Sequence, residues 1–114
     1  MDKKVLILDN DERIRNIIQS IIQNNFKYEV FSSSDAQDSL AQHRNSPFDL
    51  IIVDWNFSNM NMADFLDEIE NEGEKPFICV SCGRADVSFH DVVIDRFLFK
   101  PFTAEEIKSV VSQI

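Results

Sequence analysis

Three short runs constrain this chain more than any other feature: Val5-Leu6-Ile7-Leu8, Leu50-Ile51-Ile52-Val53 and Phe77-Ile78-Cys79-Val80. Each is apolar at every position, so a strand made from it has no face to offer water. Strands of that kind lie inside a parallel sheet covered on both sides. Runs this short cannot cross a bilayer, and no N-terminal stretch reads as a signal peptide. Each run stops abruptly on a polar group: Asp9, Asp54 and Ser81.

The stretches between the runs have helical periodicity. Ile14, Ile17, Ile18, Ile21 and Ile22 form one apolar stripe at i, i+3, i+4, i+7 and i+8. Residues 28–32 read as a further strand, and Ser34 is placed to cap a helix carrying Ala36, Leu40 and Ala41. Phe65, Leu66 and Ile69 share a face over residues 62–71. Arg96-Phe97-Leu98-Phe99 is a fifth strand, ending at Lys100-Pro101. Thr103 and Glu106 form a capping box before a last helix lined by Ile107, Val110, Val111 and Ile114. Residues 82–95 carry a poor pattern, and a short or irregular helix is expected there from about Ala85. Strand–helix alternation predicts an α/β fold in one domain over residues 1–114: a doubly wound, five-stranded parallel sheet with helices on both faces.

Ligands of such sheets bind beyond the carboxyl ends of the strands. Asp9, Asp54, Ser81 and Lys100 all stand at those ends. Two carboxylates sharing a rim repel each other unless a cation joins them, and hard oxygen ligands favour Mg²⁺. With a lysine and a hydroxyl beside them they suit a phosphoryl group, which an aspartate can accept as an acyl phosphate. The net charge of −9 argues against sequence-independent binding to nucleic acid or to an anionic membrane. Two cysteines fit a reducing, cytoplasmic setting.

Two families carry this equipment. Asp9-Asn10-Asp11 after a buried strand resembles the signature of haloacid-dehalogenase-type phosphatases, which implies Asp9 as nucleophile and Asp11 as general acid. That family also needs an acidic pair after its lysine, where this chain reads as a capped helix, and Glu12 stands where Thr or Val is expected. The second resemblance spans residues 4–114. Residues 53–70 (VDWNFSNMNMADFLDEIE) resemble the phosphorylation segment of response-regulator receiver domains. CVSC at 79–82, FLFKPFT at 97–103 and VLILDN at 5–10 match three more receiver motifs in order.

The receiver resemblance implies the flavodoxin/CheY-like strand order 2-1-3-4-5. It implies Asp54 as phospho-acceptor, assisted by Lys100 and Ser81, and Mg²⁺ held by Asp9, Asn10, Asp54 and the Asn56 backbone carbonyl. Ser81 and Phe97 become the switch pair, and Trp55 and Cys82 border the site. Asp11 is expected to begin the first helix rather than hold the metal. The implied partners are a histidine kinase or phosphotransfer protein on one side and an output protein on the other. The domain would be a signalling switch rather than an enzyme.

The chain also departs from the receiver pattern. Asn10 replaces a second acid, which predicts weakened Mg²⁺ binding. Ser58 and Met62 replace the usual Pro and Gly, and strain is expected at Met62, where glycine would tolerate a positive φ. Cys82 replaces a smaller residue and narrows the approach to Asp54. The segment from Ser81 to Lys100 is short. Asn10, Met62 and this shortening leave open a pseudo-receiver, an interaction module that works without phosphorylation.

Other features have plainer readings. Cys79 and Cys82 form a CxxC by spacing, but strand positions three apart point to opposite faces, so a core cysteine and a site neighbour are expected rather than a redox pair. His43 and His90 read as solvated, and the acidic run at 67–74 as a helix face in water. Phe57 and Phe102 flank the site as candidates for exposed partner contacts.

Overall fold

The computed structural model describes residues 2–57, 60–83 and 94–114. Nine elements follow one another there: β1 (Lys4–Leu8), α1 (Glu12–Asn25), β2 (Glu29–Ser33), α2 (Ala36–Asn45), β3 (Leu50–Asp54), α3 (Met62–Asn71), β4 (Phe77–Cys82), β5 (Arg96–Phe99) and α4 (Ala104–Val111). The five strands are all parallel, in the order β2-β1-β3-β4-β5, as the resemblance implied. The helix expected near residue 85, with His90, lies outside the described residues, as does Ser58.

Strand periodicity divides the core in two. Leu6, Leu8, Ile51, Val53, Ile78 and Val80 face Leu40 of α2 and Phe65 and Ile69 of α3. Val5, Ile7, Leu50, Ile52, Cys79 and Leu98 face Ile18 and Ile22 of α1 and Ile107, Val110 and Val111 of α4. The all-apolar runs are therefore the three inner strands, with helices against both of their faces. Phe65, Ile7 and Ile51 are wholly buried, so truncating any of them opens a cavity as well as losing contact area.

Helix starts follow from local side-chain chemistry. Asp11 caps α1, its carboxylate accepting from the Arg13 N–H, so the expected beginning of that helix holds. The capping box at Thr103 and Glu106 is complete in both directions. At α2 the cap is Asp35 rather than Ser34: the Asp35 carboxylate accepts from the Asp38 N–H, and the helix starts one residue later than the serine would place it.

Three more expectations need correction. Met62 is not strained: no described non-glycine residue has a positive φ. Asn61 caps α3 by accepting from the Ala63 and Asp64 N–H groups, and Met62, as first helical residue, turns its side chain into the core. His43 is not solvated but buried, with Nδ1 accepting the Phe48 N–H at 3.1 Å and the ring stacked on that of Phe48. His43 lies seven residues after Ala36 and three after Leu40, so it shares their buried face of α2. Phe57 is buried against Phe65 and Phe102 is half-buried, so neither is a freely exposed contact.

Candidate functional site

The strand that ends at Asp54 lies between the other two that carry acidic or hydroxyl groups to the rim. In register, Asp54 of β3 pairs with Ser81 of β4. Asp9 follows β1, β3's other neighbour, and Lys100 follows β5 on the far side of β4. Counting by twos, Asp9 continues the phase of Val5 and Ile7, Asp54 that of Leu50 and Ile52, Ser81 that of Cys79, and Lys100 that of Leu98. All four of those series belong to the α1/α4 side of the sheet. A period of two therefore sends the four polar groups to one side of one rim.

Backbone hydrogen bonds extend the sheet into the loops and fix this rim. The Trp55 N–H donates to the Ser81 carbonyl at 2.8 Å, and the Lys100 N–H donates to the Cys82 carbonyl at 2.8 Å. The end of β4 thus holds the residue after Asp54 on one flank and Lys100 on the other. On the β1 side, the Asp9 N–H donates to the Ser33 carbonyl at 3.1 Å.

The side chains converge. Lys100 Nζ lies 3.1 Å from Asp54 Oδ1 and 3.6 Å from Asp9 Oδ2. Asp9 is 3% exposed, Asp54 8% and Ser81 1%. Burial is the largest influence on Asp9 and pushes its carboxyl above the usual range, and the nearby Asp54 charge acts in the same direction. The Asp11 N–H, at 2.8 Å from Oδ1, and Lys100 oppose the shift without cancelling it. For Lys100, burial alone would lower the ammonium; its hydrogen bond to Asp54 and the charges of Asp54 and Asp9 outweigh that and hold it above its ordinary value.

The remaining predicted residues border this centre. Trp55 is half-buried and packs against the core on the α2/α3 side. Cys82 is buried and Cys79 sits in the opposite core with its thiol pushed up to about 12 by burial; neither is in a disulfide, so the CxxC spacing makes none. Phe97 stands one position before the Ser81–Leu98 register pair, packs toward the α2/α3 core and stacks on Phe99. Asn56 brings its carbonyl to the rim, where it accepts from Asn10 Nδ2 at 2.7 Å.

Sequence reasoning missed one contributor. Arg15, a turn into α1, reaches back so that Nη1 donates to the Asp9 carbonyl at 2.6 Å and steadies the loop behind the carboxylate. An arginine near the start of a helix otherwise reads as solvated, and nothing in its spacing distinguishes it.

The donor set suits a hard divalent cation. Asp9, Asp54 and the Asn56 carbonyl offer oxygens only, which fits Mg²⁺ and not a thiolate- or imidazole-seeking metal. Among the described residues no group of three or more His, Cys, Asp and Glu side chains gathers anywhere, so the carboxylates of this rim stop at two.

The sequence model of the response regulator receiver domain family matches residues 5–112. The chain belongs to that family. Chemotaxis protein CheY-3 of Vibrio cholerae is 23% identical over 97% of this chain and 90% of its own length. Chemotaxis protein CheY of Pseudomonas aeruginosa is 22% identical over 97% of this chain and 94% of its own. Among solved structures, the chemotaxis response regulator CheY4 of Vibrio cholerae superposes with a TM-score of 0.84 at 24% identity, covering 99% of this chain and 98% of that one. The signal receiver domain of a LuxO-type repressor from Vibrio parahaemolyticus gives 0.85 at 19% identity, with 99% and 89% covered. The fold is thus the CheY-like one. No helix among the described residues is long and apolar enough to cross a membrane.

Proposed function

We propose that this receiver is a working phospho-acceptor in a two-component pathway, modified on Asp54. The observation that carries the reading is a carboxylate buried at the strand end, 3.1 Å from a lysine that a second buried carboxylate also approaches. A carboxylate oxygen of Asp54 bonds to the phosphorus of a phosphohistidine on a kinase or phosphotransfer protein, or of a small acyl phosphate. The bond from phosphorus to the donor breaks, and the donor leaves with the electron pair. Lys100 turns from the Asp54 carboxylate to the new phosphoryl oxygens, and the Ser81 hydroxyl donates to another. Mg²⁺, held by Asp9, Asp54, the Asn56 carbonyl and Asn10, would supply the positive charge that offsets the transferred group.

The consequence is a shift between two states. Ser81 and Phe97 form the switch pair, and the surface around β5 and α4 recognises an output protein. Phosphorylation can shift this equilibrium only as far as it binds the two states differently. The domain acts in the cytoplasm through protein contacts, since its charge of −9 opposes binding to nucleic acid or an anionic membrane, and it catalyses no reaction beyond its own phosphorylation and dephosphorylation.

A second reading, the pseudo-receiver, is favoured by the hydrogen bond from Asn10 to the Asn56 carbonyl, which engages one of the oxygens the cation needs. Beryllofluoride, which mimics an aspartyl phosphate, separates the two. Added with Mg²⁺, it should change Trp55 fluorescence in the native protein and not in Asp54→Asn. No change in the native protein, shown to be folded, would transfer the conclusion to the pseudo-receiver.

A further inference from the structure

The contact between Asn10 and Asn56 joins the β1–α1 loop to the β3–α3 turn, across the mouth of the site. At 2.7 Å from a carbonyl oxygen, which can only accept, the Asn10 amide must present its NH₂ group. The same amide oriented the other way would set two oxygens against each other at that distance.

The proposed cation makes the opposite demand. It would take the Asn56 carbonyl as a ligand, and Asn10 can serve it only through Oδ1. The NH₂ group and the cation compete for one carbonyl oxygen, and recruiting Oδ1 requires the amide to turn and give up its hydrogen bond. An aspartate at position 10 would face no such choice: it cannot donate to the carbonyl, and it presents an oxygen in either rotamer. The exchange of acid for amide therefore does more than subtract a charge. It places a donor where the cation's contact belongs.

We propose that Asn10 is a positioning residue that latches the Asn56 carbonyl when no cation is bound. It holds the turn after Asp54 in place without metal and makes divalent-cation binding pay for the latch's release. This rests on the receiver reading above, and it predicts a particular order of Mg²⁺ affinities. Asn10→Ala removes the latch and leaves water to fill the ligand position. Asn10→Asp removes the latch and adds a charged ligand.

The test is a Mg²⁺ titration of the native protein and both variants, followed by Trp55 fluorescence and independently by thermal melting. Asn10→Ala should bind Mg²⁺ about fivefold more tightly than the native protein, the factor a net hydrogen bond contributes to an equilibrium. Asn10→Asp should bind more tightly still, by at least about tenfold over native, since the added carboxylate acts at close range. An Asn10→Ala protein that binds Mg²⁺ no better than native, while Asn10→Asp binds it tightly, would overturn the latch and leave the site reading standing. Absence of a Mg²⁺ response in all three folded proteins would remove the cation site itself, and the latch with it. A native side-chain amide signal for Asn10 that is protected from exchange without metal and exposed with it would support the latch directly.

Discussion

Replacing Lys100 with methionine keeps the apolar stem and removes the ammonium that bridges Asp9 and Asp54. In the native protein Nζ is 3.1 Å from one carboxylate and 3.6 Å from the other. With an effective dielectric of about 20, each contact has a gross Coulomb energy of about 5 kcal/mol. Most of that is offset by the cost of withdrawing three charged groups from water, so the net effect is far smaller than the sum. Removing one partner from a buried pair typically costs about 3–5 kcal/mol. The Lys100 side chain is still 30% exposed, which favours the lower end, about 3 kcal/mol. Part of this loss is repulsion between two uncompensated carboxylates, so it must depend on pH. Burial raises Asp9, and in the variant it rises further because the opposing influence of Lys100 is gone. A carboxyl whose folded pKa lies above its unfolded value of 3.8 stabilises the fold fully below that value, and the stabilisation is lost as pH rises through the folded pKa. The variant's deficit is therefore largest at neutral pH and narrows on acidification. Urea unfolding of both proteins without metal, compared at about pH 7.5 and about pH 5, measures it. A deficit below about 0.5 kcal/mol at neutral pH, or one that is identical at both pH values, would refute the shared-lysine account.

Acid should destabilise the native protein through His43. Burial, the main cause, pushes the imidazole below 6.5; Lys4 adds to the shift and Glu72 opposes it. With a folded pKa depressed below the unfolded one, stability is intact above 6.5 and is lost as pH falls through the folded value, because protonation ends acceptance of the Phe48 N–H. His43→Asn, whose side-chain oxygen can accept that N–H, should flatten the fall in urea midpoint between about pH 6.5 and 5. Asn61→Ala removes the cap of α3 and should cost about 1 kcal/mol in the same assay. Cys79 and Cys82 should resist an aromatic disulfide reagent in the folded protein and react promptly in denaturant, Cys79 because its thiol is both buried and pushed up to about 12.

What could be read in the sequence and what could not divide along a physical line. An all-apolar run such as Leu50–Val53, too short for a helix, reads as a strand covered on both faces, and the polar residue that ends it reads as standing at the rim, so Asp9, Asp54 and Ser81 were legible together, with Lys100 at the end of the fifth strand. Side-chain direction within helices was less so. His43 stands on the stripe of Ala36 and Leu40, at i+7 and i+3, but a polar side chain there reads as solvated, and the Phe48 N–H that it accepts comes from a loop that no helical period reveals. A different ambiguity hid Met62, whose strain was expected from a glycine position that the chain has turned into the first residue of a capped helix. Contacts between loops were not legible at all. Asn10 and Asn56 are 46 residues apart, and no periodicity relates two irregular turns.

That contact also alters how charge balances at the rim. With two carboxylates and one ammonium, the metal-free site carries a formal charge of −1; a third acid at position 10 would make it −2. The amide thus lowers the electrostatic cost of the empty site and, by the same amount, lowers what a cation gains by filling it. On the proposed reading, phosphorylation of Asp54 replaces one negative charge with about two. Lys100 then faces the phosphoryl oxygens and Asp9 together, and the gain from a divalent cation returns. Binding and modification are linked equilibria, so whatever factor phosphorylation adds to cation affinity, the cation adds to the stability of the phosphorylated state. An amide at position 10 therefore sets a receiver whose resting state tolerates the lack of metal better than its modified state does. The difference between those two affinities, rather than either alone, measures how strongly the cation is tied to the switch.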